Sequence, residues 1–109
     1  MKSLSAIVLI VCSLIFITAS AIAADDTPQI DPALELIHAL GCKGCHMISA
    51  DGGSLATDLT KIGSRMSAKQ IKAQLIADPA TRTTGFMPSY RSLPEKDLDR
   101  ISEYLYTLP

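Results

Sequence analysis

Five consecutive residues constrain this chain more than anything else in it: Cys42, Lys43, Gly44, Cys45 and His46. Two thiols three positions apart on a helical turn can each add to one of the two vinyl groups on a single porphyrin edge. A histidine directly after the second thiol then offers an imidazole nitrogen to the iron. C-x-x-C-H is therefore read as a haem attachment signature, with Cys42 and Cys45 as tethers and His46 as proximal ligand. A bare C-x-x-C also serves as a redox dithiol or as half of a zinc site. The dithiol wants a βαβ setting, and the sequence shows none. A four-ligand zinc site needs two more Cys or His, and only Cys12 and His38 remain.

A chain of 109 residues has room for one domain. Lys2 is the only charge before Asp25, residues 6–18 are an apolar run broken only by Cys12, Ser13 and Thr18, and Ala21-Ile22-Ala23 is an A-x-A site. That order is a secretory signal peptide. Residues 1–23 are read as the leader and 24–109 as the mature domain. Left uncut, the uncharged residues 3–24 are long enough to anchor the chain in a bilayer, although their Ala/Ser-rich end is a poor membrane flank. Cys12 is read as apolar filler, because bulky Val11 stands where a lipoprotein signal wants a small residue. Both cysteines of the mature chain are assigned to haem, so no disulfide is expected.

The mature domain has 86 residues and no Trp, a marginal size for a core without a staple. A covalently held haem provides one. Asp31-Pro32 opens a first helix as cap and first residue, with Leu34, Ile37 and Leu40 as an inward stripe and Gly41 as a turn or a close approach. His38 on this helix is read as a rim histidine. Residues 47–67 read as loop, with Leu55, Leu59 and Ile62 turned inward over a haem edge. Ser67 and Gln70 form a capping box for a helix to about Ala77, with Ile71, Leu75 and Ile76 inward, ended by Asp78-Pro79. A loop centred on Gly85 then carries Phe86-Met87-Pro88. Met87 is the natural sixth iron ligand, a soft neutral donor held by a stiff proline, and Met66 is its only serious competitor. Ser92 and Glu95 read as a second capping box, opening a helix to Thr107 with Leu98, Ile101, Leu105 and Leu108 inward. Tyr104 and Tyr106 point elsewhere, one of them toward the haem pocket or the first helix.

The order of these pieces resembles a small monohaem class I cytochrome c of a bacterial periplasm. Asp58-Leu59-Thr60-Lys61-Ile62-Gly63-Ser64-Arg65 resembles the family's D-L-x-x-I-G-x-R segment, Thr84-Gly85-Phe86-Met87-Pro88 its G-x-M-P ligand loop, and residues 101–108 its final helix. The resemblance covers nearly the whole mature chain. It implies an all-α class I cytochrome c fold: three to four helices around one covalently attached haem, the first and last crossing near Gly41. It also implies haem attachment outside the cytoplasm and an electron-transfer role. One departure stands out. The family usually places Gly-Pro before Asp-Leu, and that proline's carbonyl receives the proximal histidine's other N–H. Here Ala56-Thr57 stands there; Thr57 keeps a carbonyl on a less constrained backbone, which bears on the reduction potential. Arg65, Tyr90 and Arg91 are candidates for a haem propionate, against a solvated reading.

The function expected is therefore a periplasmic electron carrier, iron cycling between ferrous and ferric with His46 and Met87 as axial ligands, and not an enzyme by itself. The alternatives are a haem-based small-ligand sensor and a membrane-tethered cytochrome subunit of a larger oxidoreductase. The whole chain carries a formal charge of −1. Within the mature domain, residues 36–91 hold seven bases and three acids, and the two ends hold eight acids with only Lys96 and Arg100. If the ends meet, as the family fold implies, the molecule is a dipole. Its basic part then steers it to redox donors and acceptors bearing an acidic docking patch; scattered solubilising charge is the alternative. A monomer is expected, without stable membrane insertion once the leader is cut. No concentrated basic run with interleaved aromatics suggests nucleic acid.

Overall fold

The computed structural model describes residues 30–83 and 86–109. The leader and the entry up to residue 29 lie outside the described residues, as do Thr84 and Gly85 of the ligand-loop motif. Among the described residues three α-helices make the fold: α1 (Pro32–Ala39), α2 (Ala68–Ile76) and α3 (Glu95–Tyr106). Short 3-10 turns join them at Cys42–Gly44, Ile62–Ser64 and Pro79–Thr81. None of the described helices is long and apolar enough to cross a membrane.

α1 and α2 start where side chains satisfy otherwise unpaired backbone donors. Asp31 Oδ1 accepts from the Ala33 N–H at 2.8 Å, with Pro32 at the first helical position. Ser67 and Gln70 make the reciprocal box, the Gln70 N–H to Ser67 Oγ and the Ser67 N–H to Gln70 Oε1. The second expected box does not form. α3 begins at Glu95 with Pro94 as its cap residue, so Ser92 sits two residues ahead of the cap and makes no cap bond. Glu95, the first helical residue rather than the third, pairs with Lys72 of α2 instead.

α3 is the central element and packs on both α1 and α2. Its Leu98, Ile101 and Leu105 are buried, and Leu108 packs against them, as its spacing predicts. Ser102 is buried beside them, its hydroxyl donating to the Leu98 carbonyl at 2.7 Å. Ile37, Ile48, Ile62, Ile71 and Leu75 complete a wholly aliphatic core. Two inward assignments shift. On α1 the stripe is Ala33, Leu36, Ile37 and Leu40, the i, i+3, i+4, i+7 row, rather than the row through Leu34. On α2, Ile76 in the last turn is 38 % exposed. Lys72 fastens α2 to α3 through Asp99 at 2.6 Å and through Glu95; both carboxylates push its pKa up.

The segment read as loop after His46 contains a two-residue hairpin, Met47–Ile48 against Asp51–Gly52. Ser49 and Ala50 form its turn with φ of 52° and 64°. Sequence gave no cue for it, because this turn geometry normally calls for Asn or Gly.

Candidate functional site

Gly41 ends α1 in the left-handed region at φ 72°, and a Cβ there would meet nothing within 4 Å. Its role is the turn and not a close helix approach. The turn sends the chain directly into the 3-10 segment Cys42–Gly44, which presents Cys42 and Cys45 on adjacent turns. Cys42 packs against the core while Cys45 is exposed, and both are unpaired. Burial pushes the Cys42 thiol up, partly offset by its own backbone and by the Tyr90 phenol. Tyr90 is itself pushed up by burial and by Cys42, and its hydroxyl donates to the Leu40 carbonyl at 3.4 Å.

A strap then crosses back over the motif. The Gly53 N–H donates to Lys43 O at 2.8 Å, Ala56 N–H to Cys45 O at 2.9 Å and Leu59 N–H to Met47 O at 2.8 Å. The approach is close enough that a Cβ on Gly53 would lie 2.5 Å from the Gly44 carbonyl oxygen. Ser54 and Leu55 bulge between the first two of these bonds. This is why Leu55 is 86 % exposed and is not an inward protein contact, whereas Leu59 and Ile62 are.

The strap also fixes His46. Its Nδ1 lies 2.6 Å from the Thr57 carbonyl oxygen. A carbonyl can only accept, so Nδ1 carries the proton and a neutral ring keeps its Nε2 lone pair for a metal. Threonine in place of the family's proline therefore preserves the bond that orients a histidine ligand. Arg65 Nη2 donates to the Asp58 carbonyl at 2.8 Å and so braces this same strap. His38 is exposed on α1.

Met87 is half-buried and packs against the core, as does Met66. Leu40, Cys42, Leu59, Tyr90 and Leu93 are half-buried too and pack against the same core. Phe86, beside Met87, is 96 % exposed. The Met87 carbonyl accepts from Arg82 Nη1 at 3.1 Å, and the Pro88 carbonyl lies 3.4 Å from the same nitrogen. Arg82 Nη2 reaches the Gln74 and Ala77 carbonyls at the end of α2. Arg82 Nε is buried with no acceptor, alone among the described buried side-chain polar atoms. Sequence reasoning passed over Arg82, since a single arginine in a Thr-rich loop carries no pattern.

These residues fit a haem. Two free thiols precede a histidine whose Nε2 is available, the Met87 thioether is half-buried against an aliphatic core, and an orphaned guanidinium N–H awaits an anionic acceptor such as a porphyrin carboxylate. Among the described residues no three His, Cys, Asp or Glu side chains gather into a site for a bare metal ion. A family model for cytochrome c matches residues 31–109, well over half of the chain. No curated protein and no solved structure matches.

Proposed function

Because the chain belongs to the cytochrome c family, whose members are electron carriers with a covalently bound haem c, we propose that Cys42 and Cys45 form the two thioethers, that His46 and Met87 are the axial ligands, and that the protein carries electrons in the periplasm. The observation that carries this reading is the 2.6 Å contact from His46 Nδ1 to the Thr57 carbonyl, which leaves Nε2 as the ligating atom. Bound between an imidazole and a thioether, a haem supplies one-electron chemistry, ferrous to ferric, at a potential raised by the methionine. The chain's own part is to hold geometry. The strap 53–59 orients His46, the stiff Met87-Pro88 pair presents a soft donor, and Leu40, Leu59, Tyr90 and Leu93 exclude water. No substrate bond is made or broken, so the site needs no general acid or base. The periplasmic assignment rests on the leader pattern of residues 1–23.

A redox titration followed by visible spectra, with intact mass, tests ligation and attachment together. The expected result is the mass of one haem added to a chain beginning near Ala24. It includes the weak red-end absorption of a methionine–ferric iron bond and no CO binding at neutral pH. A colourless exported protein, or ready CO binding by the ferrous form, overturns it, the latter in favour of a ligand sensor.

The partner reading is narrowed by the ion pairs. Lys43 sits 2.8 Å from Asp51, holding that carboxyl below the usual range, and Lys72 is paired twice. Lys61, exposed on the strap's far end, makes no ion pair among the described residues. Steering toward an acidic redox partner therefore falls to Lys61 more than to Lys43. Lys61→Glu is expected to slow electron transfer to such a partner by roughly two- to tenfold at low salt and to flatten the salt dependence. An unchanged rate and salt slope removes the steering role.

A further inference from the structure

α2 ends without a basic residue in its last turn, and the carbonyls it leaves unpaired have to find donors elsewhere. All of those donors come from the segment that carries Met87. The Leu75 carbonyl accepts the Tyr90 N–H at 2.8 Å. The Ile76 carbonyl lies 3.2 Å from the Ser89 hydroxyl and 3.4 Å from Arg91 Nη2. The Gln74 and Ala77 carbonyls both take Arg82 Nη2. Only Arg82 also reaches the far side of the loop, where its Nη1 donates to the Met87 and Pro88 carbonyls. One rigid, planar, always-charged fork thus spans from the negative end of a helix to the backbone on which the Met87 sulfur is mounted.

We infer that Arg82 is the positioning residue for Met87: by bridging the C-terminal carbonyls of α2 to those of Met87 and Pro88, it sets the sulfur's distance from the site and holds it there. The inference rests on the reading of Met87 as an axial ligand. It concerns what keeps that ligand in place, which the ligand assignment leaves open. Lysine cannot substitute, because an ammonium on a flexible stem offers no fork to span both carbonyl pairs.

The test uses the haem-loaded protein and four variants: Arg82→Met, Arg82→Lys, Ser89→Ala and Met87→Ala. Ser89→Ala removes a donor from the same helix end without touching the link to Met87. The readouts are the methionine–iron absorption of the ferric form, the affinity of the ferric form for added imidazole, and thermal unfolding. Both Arg82 variants are expected to weaken the methionine absorption. They should also raise imidazole affinity roughly ten- to a hundredfold, the equilibrium equivalent of a lost charge-assisted hydrogen bond. Ser89→Ala should lower the unfolding midpoint while leaving imidazole affinity unchanged. If Arg82→Met and Arg82→Lys lower only the unfolding midpoint, as Ser89→Ala does, the positioning role is refuted and Arg82 is a helix cap. If Arg82→Met does not fold, Arg82→Lys decides alone on imidazole affinity. If Met87→Ala leaves the absorption and imidazole affinity as they were, the ligand assignment itself has failed and the positioning role falls with it.

Discussion

Met87→Ala is expected to erase the methionine–iron absorption, to lower the midpoint potential by on the order of a hundred millivolts or more within the ~0.8 V range that axial ligands span, and to make the ferrous protein bind CO. The sign follows from the donor. A neutral thioether opposite an imidazole favours ferrous iron, so its removal favours ferric. The effect should be large because nothing nearby replaces it. Met66 packs against the core and accepts its place there through the turn at Ile62–Ser64, with its N–H bonded to the Ile62 carbonyl at 3.0 Å. Met66→Ala should therefore cost stability and leave the spectrum unaltered. A redox titration on both variants checks the pair. If Met66→Ala removes the absorption and Met87→Ala does not, the ligand has been assigned to the wrong methionine.

Gly63→Ala is expected to destabilise the fold by roughly 3 kcal/mol, at the upper end of overpacking costs, and to lower the unfolding midpoint by on the order of 10–20 °C. The Gly63 N–H donates to the Leu108 carbonyl at 2.7 Å, just past the end of α3. A Cβ would lie 2.5 Å from that same oxygen and would also overlap the Tyr106 carbonyl. Both obstacles are main chain, so no rotamer change relieves them. The chain must back away, giving up the bond that ties the turn at Ile62–Ser64 to the residues just past α3. Gly44→Ala is the natural control, since a Cβ there meets nothing within 4 Å, and it should stay within about 0.5 kcal/mol of the parent. Thermal melts followed by far-ultraviolet dichroism compare them; a Gly63→Ala midpoint within a degree or two of the parent would show that the contact yields freely.

These two residues mark different limits of what could be read from the chain. Met87 stood out as a candidate ligand because C-x-x-C-H demands a partner on the far side and Met-Pro is an unusual pair in a loop. Gly63 was legible as a loop glycine and as part of a family-like segment, but its neighbour is a carbonyl 45 positions later, which no local pattern encodes. The capping boxes divide the same way. Ser67–Gln70 formed because cap, box and apolar run agree in register. Ser92–Glu95 did not, because proline at position 94 fixes the helix start at Glu95, and Lys72 on a neighbouring helix competes for the carboxylate.

By itself the sequence determined the order of the parts: two thiols then a histidine, three amphipathic helices with the inward row of the last, and a Met-Pro loop before that last helix. Those follow from spacing, and spacing is a property of the chain alone. Only the tertiary structure decided that Leu55 makes no inward protein contact and Ile76 faces solvent, that Lys43 pairs with Asp51, and that Arg82 joins the end of α2 to the Met87 backbone. Each of these depends on how separately encoded segments meet. Hydrogen bonds and ion pairs act within a few ångströms, and a linear pattern carries no record of which distant groups come that near.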